Sequence, residues 1–348
     1  MKTFSIALLP GDGIGPEVVA EAVRVLEAVQ SRGLGPALAY EELRVGAGEY
    51  LRSGNPLPAP VFERLREFDA ILLGAMGLPG VRWPNGVEMT PQIDLRERLD
   101  LYCGLRPIYL FNPLDSPLRD YAAGSIDFLL VRESTEGLFA TRSVPQDPAA
   151  DRAEDTMRIT RAGAERVVRA AFRAALKRRK HVTLVDKANV LPSMAFFRRI
   201  FDEVTREFPT VATDRVYVDA ASLYLIQRPD RFDVMVTENM FGDILSDLAA
   251  GLVGGMGMAP SADIGDRHAV FQPSHGSAPD IVGRGIANPV ATILSAAMML
   301  DWLGEFAGAE AIRAAVRSVF SDRQLRTRDM GGVLRTGEMT DSIIAALP

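Results

Sequence analysis

The alternation of short apolar, β-branched runs with longer segments of helical periodicity is what most limits the folds open to this chain. Runs at residues 4–9, 70–73, 128–131, 182–185, 216–218 and 234–236 read as strands. Helical periodicity fills residues 16–29, 161–177, 193–206 and 241–252. Parallel neighbours need a long crossover, and a helix is the crossover that also buries an apolar face, so the pattern predicts an α/β fold with a largely parallel sheet. Pro16 suits a first helical turn, where its missing N–H goes unused, and Thr160 is placed to cap the segment from Arg161. Residues 142–154 carry two prolines and little apolar content, which predicts a loop or an arm.

With 348 residues, 47% of them hydrophobic, the chain is long enough for one or two buried cores. A formal net charge of −6 leaves no basic excess for nucleic acid or an anionic membrane, so neither is an expected partner. The single cysteine, Cys103, rules out an intrachain disulfide and suits a cytoplasmic setting. The apolar start runs into Pro10-Gly11 without a cleavage pattern and reads as a first strand rather than a signal peptide. Residues 291–300 are too short a stretch to cross a bilayer and read as a buried helix. The cations at Arg173, Lys177, Arg178, Arg179 and Lys180 read as a solvated helix end, favoured there by the dipole.

Several motifs carry chemistry. Gly11-Asp12-Gly13-Ile14-Gly15 follows a strand and opens a helix, yet its third glycine comes one residue too early for a dinucleotide fingerprint, and no acidic residue closes a second strand about twenty positions further on. A tight strand-to-helix turn is expected instead of a Rossmann site. Asp243 and Asp247 stand four apart in a helical segment and share a face, where they either bind a hard cation such as Mg²⁺ or Mn²⁺ or lie exposed. Asp219 follows another strand, as a third carboxylate or a helix cap. Arg96, Arg106 and Arg132 suit a diacid if they cluster, because a guanidinium matches a carboxylate in bidentate geometry. Lys187, again after a strand, is a candidate base.

Blocks along nearly the whole chain resemble the isocitrate and 3-isopropylmalate dehydrogenase family of β-decarboxylating dehydrogenases. They are GDGIGPE from Gly11, LRERLDLYCGLRP from Leu95, VRESTEG from Val131, VDKANVL from Val185, YVDA from Tyr217, NMFGDILSDLAAG from Asn239 and HGSAPDIVGRGIANP from His275. The resemblance implies two domains flanking one continuous sheet without a Rossmann site, here residues 1–101 with 254–348 for the cofactor and 102–253 for dimerisation, substrate and metal. It implies a homodimer in which 142–154 is an intersubunit clasp and each site borrows Asp219 and Lys187 from the other subunit. Arg96, Arg106 and Arg132 would hold the substrate carboxylates, Asp243 and Asp247 the metal, and Lys187 would serve as base or proton relay. His275, Gly276, Ser277, Ala278, Asp280, Asn288 and Asn189 would bind the cofactor, with Asn288 reading adenine. Asp280 favours NAD, because a carboxylate accepts from both ribose hydroxyls and repels a 2′-phosphate. The implied reaction is metal-assisted oxidation of the 2-hydroxyl followed by loss of CO₂.

The chain departs from that pattern in three places. Phe139 stands where the family has the tyrosine that helps reprotonate the enol, and no tyrosine occurs between Tyr121 and Tyr217. Gln272 stands where relatives usually have glutamate near the nicotinamide. In the turn before Arg96, isopropylmalate enzymes usually show two leucines where this chain has Gln92 and Ile93. Isocitrate enzymes resemble one another in serine and asparagine where it has Thr90 and Gln92, and homoisocitrate enzymes often carry arginine in place of Ile93. A pocket with no cation and one apolar residue favours a neutral substituent, which ranks 3-isopropylmalate first and D-malate or tartrate next, ahead of isocitrate and homoisocitrate. Phe139 and Gln272 also leave open a relative that binds ligands without turnover.

Overall fold

A computed structural model describes residues 3–142 and 151–348, so most of the expected arm at 142–154 lies outside the described residues. The first half of the chain runs β1 (Thr3–Gly11), α1 (Gly15–Ser31), β2 (Ala37–Glu42), α2 (Ala47–Ser53), α3 (Ala59–Leu65), β3 (Ala70–Ala75), α4 (Pro91–Arg98), β4 (Cys103–Tyr109), β5 (Asp127–Glu133) and α5 (Arg161–Leu176). It continues with β6 (His181–Asp186), α6 (Pro192–Thr205), β7 (Ala212–Tyr217), α7 (Val218–Gln227), β8 (Val234–Thr237) and α8 (Asn239–Gly251). It ends with β9 (Pro260–Ile264), β10 (Ala269–Pro273), α9 (Val290–Trp302), α10 (Phe306–Ser321) and α11 (Thr336–Ala346).

Among the described residues, ten strands form one continuous sheet in the order β2-β1-β3-β10-β9-β4-β5-β8-β6-β7. Two parallel blocks, β2-β1-β3-β10 and β5-β8-β6-β7, are joined by antiparallel pairings through β9 and β4. Buried clusters divide along the chain in the same way. One draws on Phe4 to Leu72 and Met258 to Leu347, and another on Ala7 to Leu101 with Val270. Two more lie wholly between Cys103 and Val253. Among the described residues no helix is long and apolar enough to cross a membrane.

All six predicted strands are present, although Val218 opens α7 instead of ending β7. Thr160 caps α5 by accepting from the N–H of Gly163 at 3.0 Å. Four strands escaped the pattern, and each for a reason. β2 is a half-buried edge strand ending in two glutamates, while β4, β9 and β10 interrupt their apolar positions with arginine, aspartate, glutamine or proline. The basic run after α5 also needs correction, because it is not simply solvated. Arg178 donates to Asp127 at 2.6 Å and Asp233 at 2.9 Å, and Arg179 donates to the Asp127 carbonyl at 2.9 Å, tying the helix end to the start of β5.

The glycine loop after β1 has no free cradle. Asp12 N–H donates to Ala75, Ile14 N–H to Ser277 and Gly15 N–H to Asp12, so three donors of the kind that cradle a phosphate are consumed internally. The buried Asp12 carboxylate accepts from the N–H groups of Ala47, Gly48 and Gly77, each at 2.8 Å, and so pins the start of α2 to the end of β3.

Candidate active site

Where the antiparallel centre meets α4 and α8, the sheet register sets three positions in one row. Arg132 of β5 lies opposite Gly104 of β4, and Gly104 opposite Asp263 of β9. Side chains alternate across a strand, so Arg106 shares the face of Gly104, and Ser261 shares that of Asp263. A Cβ on Gly104 would lie 2.5 Å from Ser134 Oγ and 3.1 Å from an Asp263 oxygen, so glycine makes room for the polar groups that meet there.

Above this row is a cleft of about 220 Å³. α4 contributes Gln92, Ile93 and Arg96; β4 and β5 contribute Arg106 and Arg132; and α8 contributes Asp243, Ser246 and Asp247. The far wall is Ser261, Gln272, Ser274, His275 and Gly276, with Phe139 at the side. All three arginines are buried. α8 starts one turn before its aspartates because Glu238 caps it, accepting from Met240 at 3.0 Å and Phe241 at 2.6 Å. Arg132 lies against this helix, donating to Asn239 Oδ1 at 2.6 and 3.0 Å and pairing with Asp243. Gly242 allows that approach, since a Cβ there would stand 2.7 Å from Arg132 Cγ.

Burial, and then the charge of Arg96, press the Arg132 guanidinium down to about 10, which still leaves it cationic at neutral pH. Burial likewise lowers Arg106, against the pull of Asp263. Partial burial and the neighbouring Asp243 raise the Asp247 carboxyl, the response expected of two like charges on one helix face. Burial lowers His275, whose Nδ1 lies 2.9 Å from the Gly276 carbonyl while its buried Nε2 has no partner among the described residues. His275 also borders a second pocket of about 310 Å³ with Asn288, Ile14, Ile281 and Asp329. Asn288 is held there by donating to Asp329 at 3.1 Å and accepting from Val290 at 3.1 Å.

The cleft thus gathers Gln92, Ile93, Arg96, Arg106, Arg132, Phe139, Asp243, Asp247, His275 and Gly276. Thr90 stands just outside as the residue preceding α4. Ser277 is buried against the glycine loop, where a Cβ on Gly13 would collide with its carbonyl, and Ala278 has a left-handed backbone at φ 39°. Asp280 and Asn189 are exposed. Lys187 and Asp219 are not brought into this cleft by their own chain. They pair with each other at 2.8 Å after β6 and at the start of α7, where Lys187 holds the Asp219 carboxyl below its usual range. Among the described residues, no three acidic, histidine or cysteine side chains of the chain converge to hold a metal.

Two neighbours of the cleft were not singled out in the sequence. Asp263, an isolated acid in a short apolar run, proves to be the carboxylate beneath the arginines. Glu133, next to Arg132, accepts from the N–H groups of Thr135 and Glu136, and burial pushes its carboxyl up to about 7. A carboxyl raised in the folded state binds its proton more tightly there than in the unfolded chain. Its stabilising contribution is therefore complete below the ordinary carboxylate range and is lost as pH rises towards about 7. The melting temperature should fall between pH 5 and pH 7.5 for the parent, and Glu133→Gln should flatten that fall; an equal fall in both would exclude Glu133 as its source.

The family model described as isocitrate/isopropylmalate dehydrogenase matches residues 5–343. The chain is 47% identical to 3-isopropylmalate dehydrogenase of Moorella thermoacetica, covering 94% of this chain and 93% of that protein. It is 45% identical to 3-isopropylmalate dehydrogenase of Corynebacterium efficiens, covering 99% of each. The crystal structure of isocitrate dehydrogenase from Methylococcus capsulatus superposes with a TM-score of 0.90 at 38% identity, covering 99% of each chain. The fold is that of a hydroxy-acid dehydrogenase. The chain belongs to the isocitrate/isopropylmalate dehydrogenase family.

Proposed function

We propose that this dehydrogenase oxidises a 2-hydroxy diacid with NAD as hydride acceptor, assisted by Mg²⁺ or Mn²⁺, and that it works as a cytoplasmic homodimer. The observation that carries this reading is the cleft, in which three buried guanidiniums face two carboxylates one helical turn apart. The proposed domains are 1–101 with 254–348, and 102–253, with the cleft between them.

Arg96, Arg106 and Arg132 would hold the substrate carboxylates, for which their planar forks are suited. Asp243 and Asp247 offer hard oxygen donors on one helix face, and burial, with the neighbouring Asp243, disfavours a bare Asp247 charge that a divalent cation would compensate, so the chemistry of the donor set fits such an ion. When bound, the cation would polarise the substrate hydroxyl and its adjacent carboxylate. Asp219 of the partner subunit would complete the donor set, and Lys187 of the partner subunit would take up the hydroxyl proton. Exposed Leu223 and Ile226 on α7 and Ile244 on α8 give the chain an apolar surface near this pair of elements, consistent with burial against a second copy.

His275, Gly276, Ser277 and Ala278 would line the cofactor path, with Asn189 contributing and Asn288 placed in the adjoining pocket that suits a planar base. The unpartnered Nε2 of His275 fits a hydrogen-bonding ligand at that junction. NAD, when bound, would supply the hydride acceptor, and Asp280 would select its ribose hydroxyls over a 2′-phosphate. Phe139 has no proton to give, so any enol left by loss of CO₂ would take its proton from water or from another residue.

The named relatives make 3-isopropylmalate the first candidate, and Ile93 offers an apolar contact for its branch. One observation favours D-malate or tartrate instead. Gln92 Oε1 and Ser261 Oγ are buried at the cleft without partners, and leaving such atoms unpaired against an alkyl group costs about 1–3 kcal/mol each. NADH formation should be followed with 3-isopropylmalate, D-malate, tartrate, isocitrate and homoisocitrate, with CO₂ measured alongside. Turnover of at least one acid, stopped by EDTA and restored by Mn²⁺, is expected; no turnover of any would remove the proposal. Gln92→Leu should move kcat/KM about tenfold towards 3-isopropylmalate relative to tartrate, since one pocket contact of this size is worth about 1–3 kcal/mol.

A further inference from the structure

We propose that Asp263 is a positioning residue that fixes Arg96 and Arg106 for a bound acid and, by offsetting one positive charge of the arginine cluster, favours a dicarboxylate over a tricarboxylate. This rests on the diacid reading above and assigns the charge class of the substrate to a residue outside the substrate's reach.

The Asp263 side chain is 1% exposed and has four polar neighbours. Oδ2 accepts from Arg96 Nε at 3.0 Å and from Gln272 Nε2 at 2.7 Å. Oδ1 accepts from Ser134 Oγ at 3.2 Å and lies 3.7 Å from a terminal nitrogen of Arg106. Burial by itself would raise this carboxyl, but Arg96, Arg106 and Arg132 outweigh it and hold the group below its ordinary value. The residue is therefore an anion within the cluster.

Two consequences follow from this geometry. Arg96 is anchored through Nε alone, which leaves the outer fork of its guanidinium able to meet a carboxylate in the cleft. The buried carboxylate also offsets one positive charge of the three guanidiniums, so the cluster with Asp263 draws a third substrate carboxylate less strongly than the same arginines would without it.

Gln272 fits the same account. Its amide donates to Asp263, whereas a glutamate there would set a second carboxylate at 2.7 Å and force the two to share a proton. The neutral residue at 272 and the acid at 263 are a matched pair across neighbouring strands β9 and β10. The departure from the family pattern at 272 thus has a local physical cause.

The test is equilibrium binding of succinate and of tricarballylate by calorimetry, which needs no turnover, together with steady-state kinetics on the best acid of the panel. Asp263→Asn should weaken succinate about tenfold or more, as loss of a buried charge partner does. It should raise the KM of the acid while leaving the KM of NAD unchanged, and shift the binding ratio towards tricarballylate. Asp263→Asn combined with Gln272→Glu returns one carboxylate to the cluster and should recover the preference for succinate. Unchanged binding of both acids by a folded Asp263→Asn would overturn the proposal. So would a double variant that prefers tricarballylate, which decides the matter if the single variant does not fold. A parent that binds succinate but turns over no acid would sink the reaction and spare this inference; a parent that binds no diacid would sink both.

Discussion

Asp247→Asn is expected to lower kcat/KM about a thousandfold if Asp247 holds the proposed cation, because removing a ligand charge would forfeit several kcal/mol of transition-state stabilisation and each 1.36 kcal/mol is a factor of ten. The substitution keeps the shape of the side chain and removes one anion from a pair whose mutual repulsion already raises Asp247. Folding should not suffer, since that repulsion is relieved, and the melting temperature of the ion-free protein should hold or rise. Mn²⁺ affinity, read by calorimetry without substrate, should fall in parallel with activity. Normal Mn²⁺ binding with lost turnover would place Asp247 in some role other than ion binding.

Asp243 is expected to behave differently, because in this chain its carboxylate is paired with Arg132. On the proposed reading, productive binding would be an exchange in which Asp243 would hold the cation and Arg132 would hold a substrate carboxylate. The guanidinium loses no charge partner in that exchange, which matters for a group this deeply buried. Asp243→Asn should therefore abolish ion-dependent turnover and also destabilise the ion-free protein, while addition of succinate should recover part of the lost melting temperature. Equal effects of the two substitutions on the ion-free protein would contradict the exchange.

Periodicity made the outer parts of the sheet legible and left its centre obscure, for one physical reason. A strand in a parallel block is apolar on both faces, as in β3 with six buried residues, so its run stands out. β9 and β10 must place Ser261, Asp263 and Gln272 on the cleft face, and those residues break the apolar pattern that announces a strand. The arginines were recognisable as a set through the family blocks that contain them. Asp263 was not, because its partner Arg96 lies 167 positions away and nothing local marks the acid as buried. The signal was there in a weaker form: a single carboxylate inside a short apolar run, PSADI, has to be either exposed or paired. Likewise, the glycine spacing was enough to set aside a phosphate loop, but only the fold shows what Asp12 does in its place.

Mixing inactive Lys187→Met subunits with inactive Asp243→Asn subunits should recover about a quarter of the parent activity, if each site of a twofold dimer draws on both chains. Lys187 and Asp219 lie together after β6 and at the start of α7, while Asp243 and Asp247 line the cleft on α8. Within one chain these two groups do not converge, so a site that needs both must be built from two copies. In a mixed dimer, the Lys187→Met chain supplies a sound Asp243 and its partner a sound Lys187, which makes one complete site; the other carries both defects. Random exchange puts about half of the dimers in the mixed form with one working site of two, hence about a quarter. Recovery should require subunit exchange, so mixing without a dissociating step should restore less, and sedimentation should report a dimer throughout. No recovery after verified exchange would place Lys187 and Asp243 in the same chain's site or remove Lys187 from catalysis. Asp219→Asn would then separate the two, since a residue that only holds Lys187 in place should raise KM far less than one that binds the ion.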